Sequence, residues 1–276
     1  MRSKPQPKLD PPRGLLHRAA IGSAHGVVTG RIHPSSELAA WIEHYWWVHW
    51  DVPEPRTSEV LTYPSVHVVF EARSARVVGV VRRKFTRRLE GRGRVFGIKF
   101  LPGMFRDLAR VPLHRLTDRE LPLGKLLGPG PVALALRLRD SGTEQARAEL
   151  VEERLRSVLP APSDAAVLAR DLVERVRTDP TLLSVERLAV VSGLGVRGLE
   201  RLFREYVGVA PKWVVQRFRL QAAAEMLALG GVSVASVAAE LGYCDQAHFT
   251  RDFKKVVGMP PVDYARRALP SARSAR

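Results

Sequence analysis

The chain repeats itself. LAVVSGLGVRGLERLFREYVGVAP, from Leu188 to Pro211, returns about fifty residues later as VAAELGYCDQAHFTRDFKKVVGMPP, from Val237 to Pro261. Ala189 stands four residues before Gly193, as Ala238 stands four before Gly242. Arg201 precedes Phe203 by two and Arg251 precedes Phe253 by two, and Gly208 and Gly258 follow those rings by five. Pro211 and Pro261 come three residues later. Punctuation shared at this density means one supersecondary unit used twice.

The unit reads as two helices around a tight turn. Ala189 and Ala238 fall on short apolar helices, where a small side chain lets another helix cross closely. Gly193 and Gly242 follow at positions where the turn needs positive φ. The second helix carries apolar residues at i and i+4, Leu199 with Phe203 and Phe249 with Phe253. That spacing leaves Arg197, Glu200, Arg201 and Arg204 outward on the first copy. On the second, Gln246, Ala247, Thr250 and Arg251 are outward or flanking. Arginine and glutamine reach guanine and adenine edges bidentately in the major groove. A single copy would fit a plain helical hairpin with a solvated charged face equally well. Two copies in register point to DNA.

The segment between them, residues 211–231, opens with Pro211 and closes on Gly230 and Gly231, the start and stop signals of a helix. Val215, Phe218, Ala222, Met226 and Leu229 form its expected apolar stripe. Such a helix of about 19 residues spans roughly 28 Å, near the ~34 Å between successive major grooves on one face of DNA.

From about Asp164 onward the chain resembles the DNA-binding domain of the AraC/XylS family of bacterial transcription regulators. The motifs that carry the resemblance are LAVVSGLGVRGLERLF, the connector helix and VAAELGYCDQAHFTRDFKKVVGMPPVDYARR. It implies two helix-turn-helix units on double-stranded DNA and, as a rule, activation through contact with RNA polymerase. By position, the implied base readers are Arg197, Glu200 and Arg201 in the first unit. In the second they are Gln246, Ala247, His248, Thr250 and Arg251. Arg204, Lys212, Lys254 and Lys255 are the phosphate candidates. The departures are Gly195 and Cys244 at the expected caps, where cysteine serves poorly, and Gly198 inside a helix, at about 1 kcal/mol against alanine. Glu200 accepts only from cytosine N4 and repels phosphate, and Ala247 offers at most a methyl contact.

A chain of 276 residues with 45% apolar and 26% charged residues predicts two ordinary globular domains. The net charge of +16 suits a nucleic-acid partner. It is not concentrated in the repeat, however. From Ala165 onward 17 Lys and Arg face 11 Asp and Glu, and before it 27 face 17. Residues 1–29 are basic and proline-rich without an apolar core, which predicts a disordered arm rather than a signal peptide. No run is apolar enough to span a membrane. Cys244 is the single cysteine, so neither a disulfide framework nor a multi-cysteine zinc site is expected. A cytoplasmic location follows most simply.

Residues 30–128 read as a β-rich sensor or interaction domain, similar to amino-terminal domains found ahead of AraC-type regions. Ser35 or Ser36 is expected to cap a helix to about His44, ahead of a strand at 45–51. Residues 66–71 and 76–81 are β-branched and read as strands. Residues 84–90 and 94–100 read as a hairpin around Gly91 and Gly93. Trp41, Tyr45, Trp46, Trp47 and Trp50 are candidates for an effector pocket, with a plain aromatic core as the alternative. His44, His49 and His67 lack the spacing of metal ligands, so no metal or other cofactor is expected.

GPGP at 128–131 marks the end of that domain. Residues 129–163 form a linker whose helix at 143–159 either packs on its own domain or pairs with a second chain. Residues 164–270 are the DNA-binding domain and 271–276 a tail. The expected class is therefore α+β: a β-rich amino-terminal domain and an all-α domain of two helix-turn-helix units on one long helix. The function expected is a sequence-specific DNA-binding regulator modulated by its first domain, through a small effector or through a protein partner. An enzyme reading, a DNA-repair methyl-acceptor, would rest on Cys244 alone. No other catalytic signature is visible.

Overall fold

The computed structural model describes residues 26–268 except 73 and 129. Most of the expected arm, and the tail, lie outside the described residues. Residues 27–29 belong instead to a strand. Six antiparallel strands form one sheet in the order β1-β2-β5-β3-β4-β6. They are β1 (Val27–Ile32), β2 (Ile42–Val60), β3 (His67–Glu71), β4 (Ser74–Val78), β5 (Phe85–Phe100) and β6 (Glu120–Pro122).

Two expectations change here. The helix from Ser35 is a set of hydrogen-bonded turns, in which Leu38 and Ala39 N–H donate to the Ser35 carbonyl at 3.0 Å, and β2 starts at Ile42. The hairpin at 84–100 is one continuous strand, because the long strand β2 pairs with it from Ile42↔Phe100 to Val60↔Phe85. The irregularity that the glycines announced is a register shift between Val52 and Arg56 of β2. Gly93 and Gly97 are needed for a different reason. A Cβ there would stand 2.2 Å from the rings of Trp50 and Trp46, which lie flat across β5.

Strand alternation sorts the sheet into two faces. Tyr45, Val68, Phe70, Phe96, Ile98 and Phe100 join one core, and Trp50, Val69, Val78 and Val95 the other. The first face is covered by α1 (Phe105–Ala109), α2 (Gly124–Leu127), α3 (Gly130–Asp140) and α4 (Glu144–Arg156). Residues 130–140 carried no helix expectation, since GPGP was read as a boundary. Proline is nonetheless tolerated in a first helical turn, where its missing N–H has no intrahelical partner.

Helix α4 is capped by Thr143, whose hydroxyl accepts from Ala146 N–H at 3.1 Å. It buries Ala148, Val151 and Leu155 in its own domain. The stripe that the sequence left open to a second chain is thus occupied. Two buried charges hold it there. Arg147 donates to the Leu138 carbonyl at 2.9 Å and the Ser141 carbonyl at 2.6 Å, closing the α3–α4 turn. Glu152 accepts from Ser35 N–H at 2.8 Å and from Tyr45 OH at 3.3 Å.

The carboxy-terminal part is all helical: α5 (Asp164–Thr178), α6 (Val185–Ser192), α7 (Gly195–Leu202), α8 (Pro211–Leu229), α9 (Val234–Glu240), α10 (Gln246–Val257) and α11 (Pro261–Ala268). It has two cores, one at each end of α8. Leu172, Leu188, Leu199, Phe203 and Val214 fill the first, and Leu227, Val237, Phe249, Phe253 and Val257 the second.

Val80 enters the first of these cores from the sheet domain, and Leu61 enters the second. The connector α8 is therefore buried on more than its expected stripe. Leu229, counted in that stripe, is 85% exposed, whereas Arg217 is only 2% exposed. Arg217 donates to the Arg82 carbonyl at 2.5 Å and lies 4.6 Å from the centre of the Trp213 ring. Burial without a carboxylate partner draws its pKa down to about 10. Gln221 Nε2 also donates to the Thr62 carbonyl, at 3.4 Å.

Candidate nucleic-acid interface

In each unit a glycine turns the chain from a supporting helix into an exposed one. Gly193 has φ 68° after α6, and Gly242 has φ 71° after α9. Ala189 and Ala238 are buried at 4% and 3%, where the helices of each unit cross. Ser184 and Ser233 cap α6 and α9, accepting from Arg187 N–H at 3.3 Å and Ser236 N–H at 3.0 Å.

The exposed helices differ in how they begin. Asp245 is the cap of α10, and its carboxylate accepts from His248 N–H at 2.7 Å. The sequence placed Cys244 at that cap; the chain puts the far better acceptor one residue later. Helix α7 has no side-chain cap. Gly195 does not cap it either, but stands as its first residue with φ 65°. Ser192 Oγ accepts from Leu194 N–H at 3.2 Å in the turn before it.

On α10, Phe249, Phe253 and Val257 are buried, while Gln246, Ala247, Arg251, Lys254 and Lys255 are exposed and Thr250 is half-buried. The spacings 246–250–254 and 247–251–255 place these residues in two adjacent columns on one face. On α7, Leu199 and Leu202 are buried and Arg197, Glu200 and Arg201 exposed. Arg204 is exposed on the wider π-helical turn Phe203–Val207 that follows. Lys212 is exposed at the start of α8. His248 stands apart from the other expected readers. Its Nε2 lies 3.5 Å from Asp252 Oδ2 and its ring meets Tyr243 edge-on.

Asp252 escaped the sequence reading, although its place four residues after His248 was a usable signal. Its Oδ2 accepts from Gln216 Nε2 of α8 at 2.6 Å and from Tyr243 OH at 3.4 Å. Arg219 of α8 lies 4.3 Å from the centre of the Tyr243 ring. Burial pushes the Tyr243 hydroxyl up to about 12; Arg219 works against that shift and Asp252 adds to it. The second exposed helix is thereby tied to the connector by a polar network as well as by its core.

The aromatic residues expected around an effector pocket are placed otherwise. Trp41 and Tyr45 are buried in the first sheet core. Trp46 and Trp50 cover β5, with Trp46 Nε1 donating to His67 Nδ1 at 3.1 Å, and Trp47 lies over Gly30 of β1. Among the described residues no group of three metal-ligating side chains comes together, and no helix is long and apolar enough to cross a membrane.

Residues 188–267, which run from α6 into α11, match the sequence family described as "Helix-turn-helix domain". Residues 30–122 match one described as "Domain of unknown function (DUF6597)". The chain is similar to the F1 operon positive regulatory protein of Yersinia pestis, 34% identical over 82 residues, 30% of this chain and 27% of that protein. It is likewise similar to a putative AraC-like transcription regulator of Streptomyces lividans, 35% identical over 81 residues, 29% of this chain and 27% of the other.

The chain carries an AraC-type helix-turn-helix domain.

The alignments with these curated relatives cover about a quarter of their length, 27% in each case. A solved probable AraC family transcriptional regulator from Rhodopseudomonas palustris is 26% identical over 38% of this chain and 99% of that one, with a TM-score of 0.34. The sheet domain matches a family without assigned function.

Proposed function

We propose that the protein is a sequence-specific DNA-binding transcription regulator that reads two successive major-groove segments with α7 and α10. The observation that carries this reading is the pair of exposed, arginine-bearing helix faces set at opposite ends of one 19-residue helix, α8. Arg197 and Arg201 enter one groove, with Glu200 restricting that face to partners that donate. Gln246, Ala247, Thr250 and Arg251 enter the next. Arg204, Lys212, Lys254 and Lys255 neutralise phosphates. We give His248 a smaller share than its position alone suggests, since Asp252 already engages it.

Activation through RNA polymerase, and modulation by the sheet domain, belong to the same proposal. Support for modulation comes from the docking of the sheet domain on α8 through Arg217 and Gln221.

The test is selection of genomic fragments by the purified full-length protein at physiological salt. A recurring bipartite motif with half-sites about 10 base pairs apart is expected. Recovery of unrelated fragments, with binding lost steeply as salt rises, would show that charge alone binds DNA and would sink the proposal. The methyl-acceptor alternative rests on Cys244, which is exposed just before α10. Its replacement, Cys244→Ser, is expected to leave DNA selection unchanged.

A further inference from the structure

The sheet domain contains a cavity of about 280 Å³ between the first face of the sheet and the helices that cover it. It is a cleft open to solvent on one side, not an enclosed void. Its walls are apolar: Phe70 and Phe100 from the sheet, Leu127 from α2, Leu134 from α3, and Val151 and Leu155 from α4. Three charged residues complete the lining, Asp107, Arg110 and Arg154.

These charges do not cancel. Asp107 is already engaged, with Oδ2 accepting from Ser163 N–H at 2.9 Å and Oδ1 lying 3.5 Å from Arg106 Nη1. Arg154 donates from Nη1 to Ser157 Oγ at 3.3 Å and has no carboxylate partner among the described residues. Arg110 ends α1 with φ 54°, a left-handed backbone that a residue with a Cβ seldom adopts. Its guanidinium makes no hydrogen bond or ion pair among the described residues. Both arginines are exposed at the rim of an apolar hole. Two cations without carboxylate partners among the described residues, beside a largely apolar cleft, complement a molecule with an apolar body and one anionic end.

We propose that this cavity binds a small amphipathic organic anion, its hydrocarbon part against the sheet and α4 and its carboxylate between Arg110 and Arg154. A cleft of about 280 Å³ suits a small ligand, and octanoate is the probe of that class. The site is independent of the DNA-binding proposal, because its occupation is measured without DNA.

Titration calorimetry of the full-length protein with octanoate, and with octanamide as the neutral counterpart, tests it. One octanoate per chain is expected, bound about tenfold or more tightly than octanamide, the gap that a charge-assisted pair of hydrogen bonds supplies. Arg110→Gln with Arg154→Gln should erase that preference while leaving octanamide binding in place. Both substitutions are at exposed side chains, so the fold is not at risk. Leu134→Trp, which fills the cavity, should abolish binding of both compounds, with unchanged far-ultraviolet circular dichroism as the check on folding. Absence of octanoate binding up to millimolar concentration would overturn the proposal. So would equal affinity for acid and amide, or an acid preference that survives the double arginine variant.

Discussion

The two helix-turn-helix units share their punctuation but not their rigidity. The second has a capped exposed helix of 12 residues, and an aromatic series from Tyr243 through Phe249 and Phe253 to Tyr264 runs beneath it. Asp252 ties that helix to α8. The first has an uncapped helix of 8 residues with Gly198 inside it, and a π-helical turn at its end. Val190, Val191, Leu194 and Val196 stand exposed around it.

What the first unit lacks internally it gains from the sheet domain. Arg106 of α1 pairs with Glu205 of the π turn at 2.6 Å and lies over the Tyr206 ring. Thr117 donates to the Gly208 carbonyl at 2.6 Å. A repeated motif thus yields one unit held mainly by its own cap, core and polar network, to which the sheet domain adds Leu61, and one that leans on its neighbour more heavily. If the sheet domain modulates DNA binding, the first unit is where a change in docking is felt.

The largest effect expected from breaking this comparison is in the core. Phe253→Ala removes a fully buried ring and should destabilise the protein by about 3–5 kcal/mol. Leu199→Ala, at the place in the first unit that corresponds to Phe249, should cost about 2–5 kcal/mol. Urea unfolding of the full chain gives both numbers. A loss from Phe253→Ala well below that from Leu199→Ala would reverse the order of rigidity argued here.

Next come the readers. Arg251→Ala and Arg201→Ala should each weaken binding to the selected site by about 1–3 kcal/mol and relax one base position. Competition against single-base variants of the site separates base reading from charge. A uniform loss over all variants would make the residue a phosphate anchor.

Removing the cap is a smaller change. Asp245→Ala should cost about 1 kcal/mol of stability, because His248 N–H loses its acceptor at the end of α10. Thermal unfolding measures it. A null result would show that the core alone orders this helix, and the contrast between capped and uncapped units would lose its meaning.

How much of this was legible before the structure depends on the range of the interaction. The turns, Gly193 and Gly242, and the buried pairs on α7 and α10 were visible because helical period and glycine conformation act within a few residues. The cap was misplaced by one position, since Cys244 and Asp245 differ in chemistry and alignment with the first unit favoured the wrong one. The single strand Phe85–Phe100 was hidden because its continuity depends on β2, which is distant in sequence and pairs with it from end to end. Arg217 gave no local signal at all. Its burial is imposed by residues 82 and 213 on either side of it, and an arginine on a long helix otherwise reads as solvated. The cavity was equally invisible, because apolar residues from β3, β5, α2, α3 and α4 each look like ordinary core on their own.

The smallest effect sharpens the comparison most directly. Gly198 sits midway between Leu194 and Leu202, and glycine within a helix costs about 1 kcal/mol relative to alanine. A Cβ placed there would meet Leu194 Cβ at 3.1 Å, which is tighter than comfortable contact. Leu194, however, is 42% exposed and on a turn, free to yield by a few tenths of an ångström. Gly198→Ala should therefore stabilise the first unit by somewhat less than about 1 kcal/mol, read as a small rise in the unfolding temperature. A fall in that temperature would mean that Leu194 is held in place. The first unit would then be as tightly packed as the second, and its dependence on the sheet domain would need another cause.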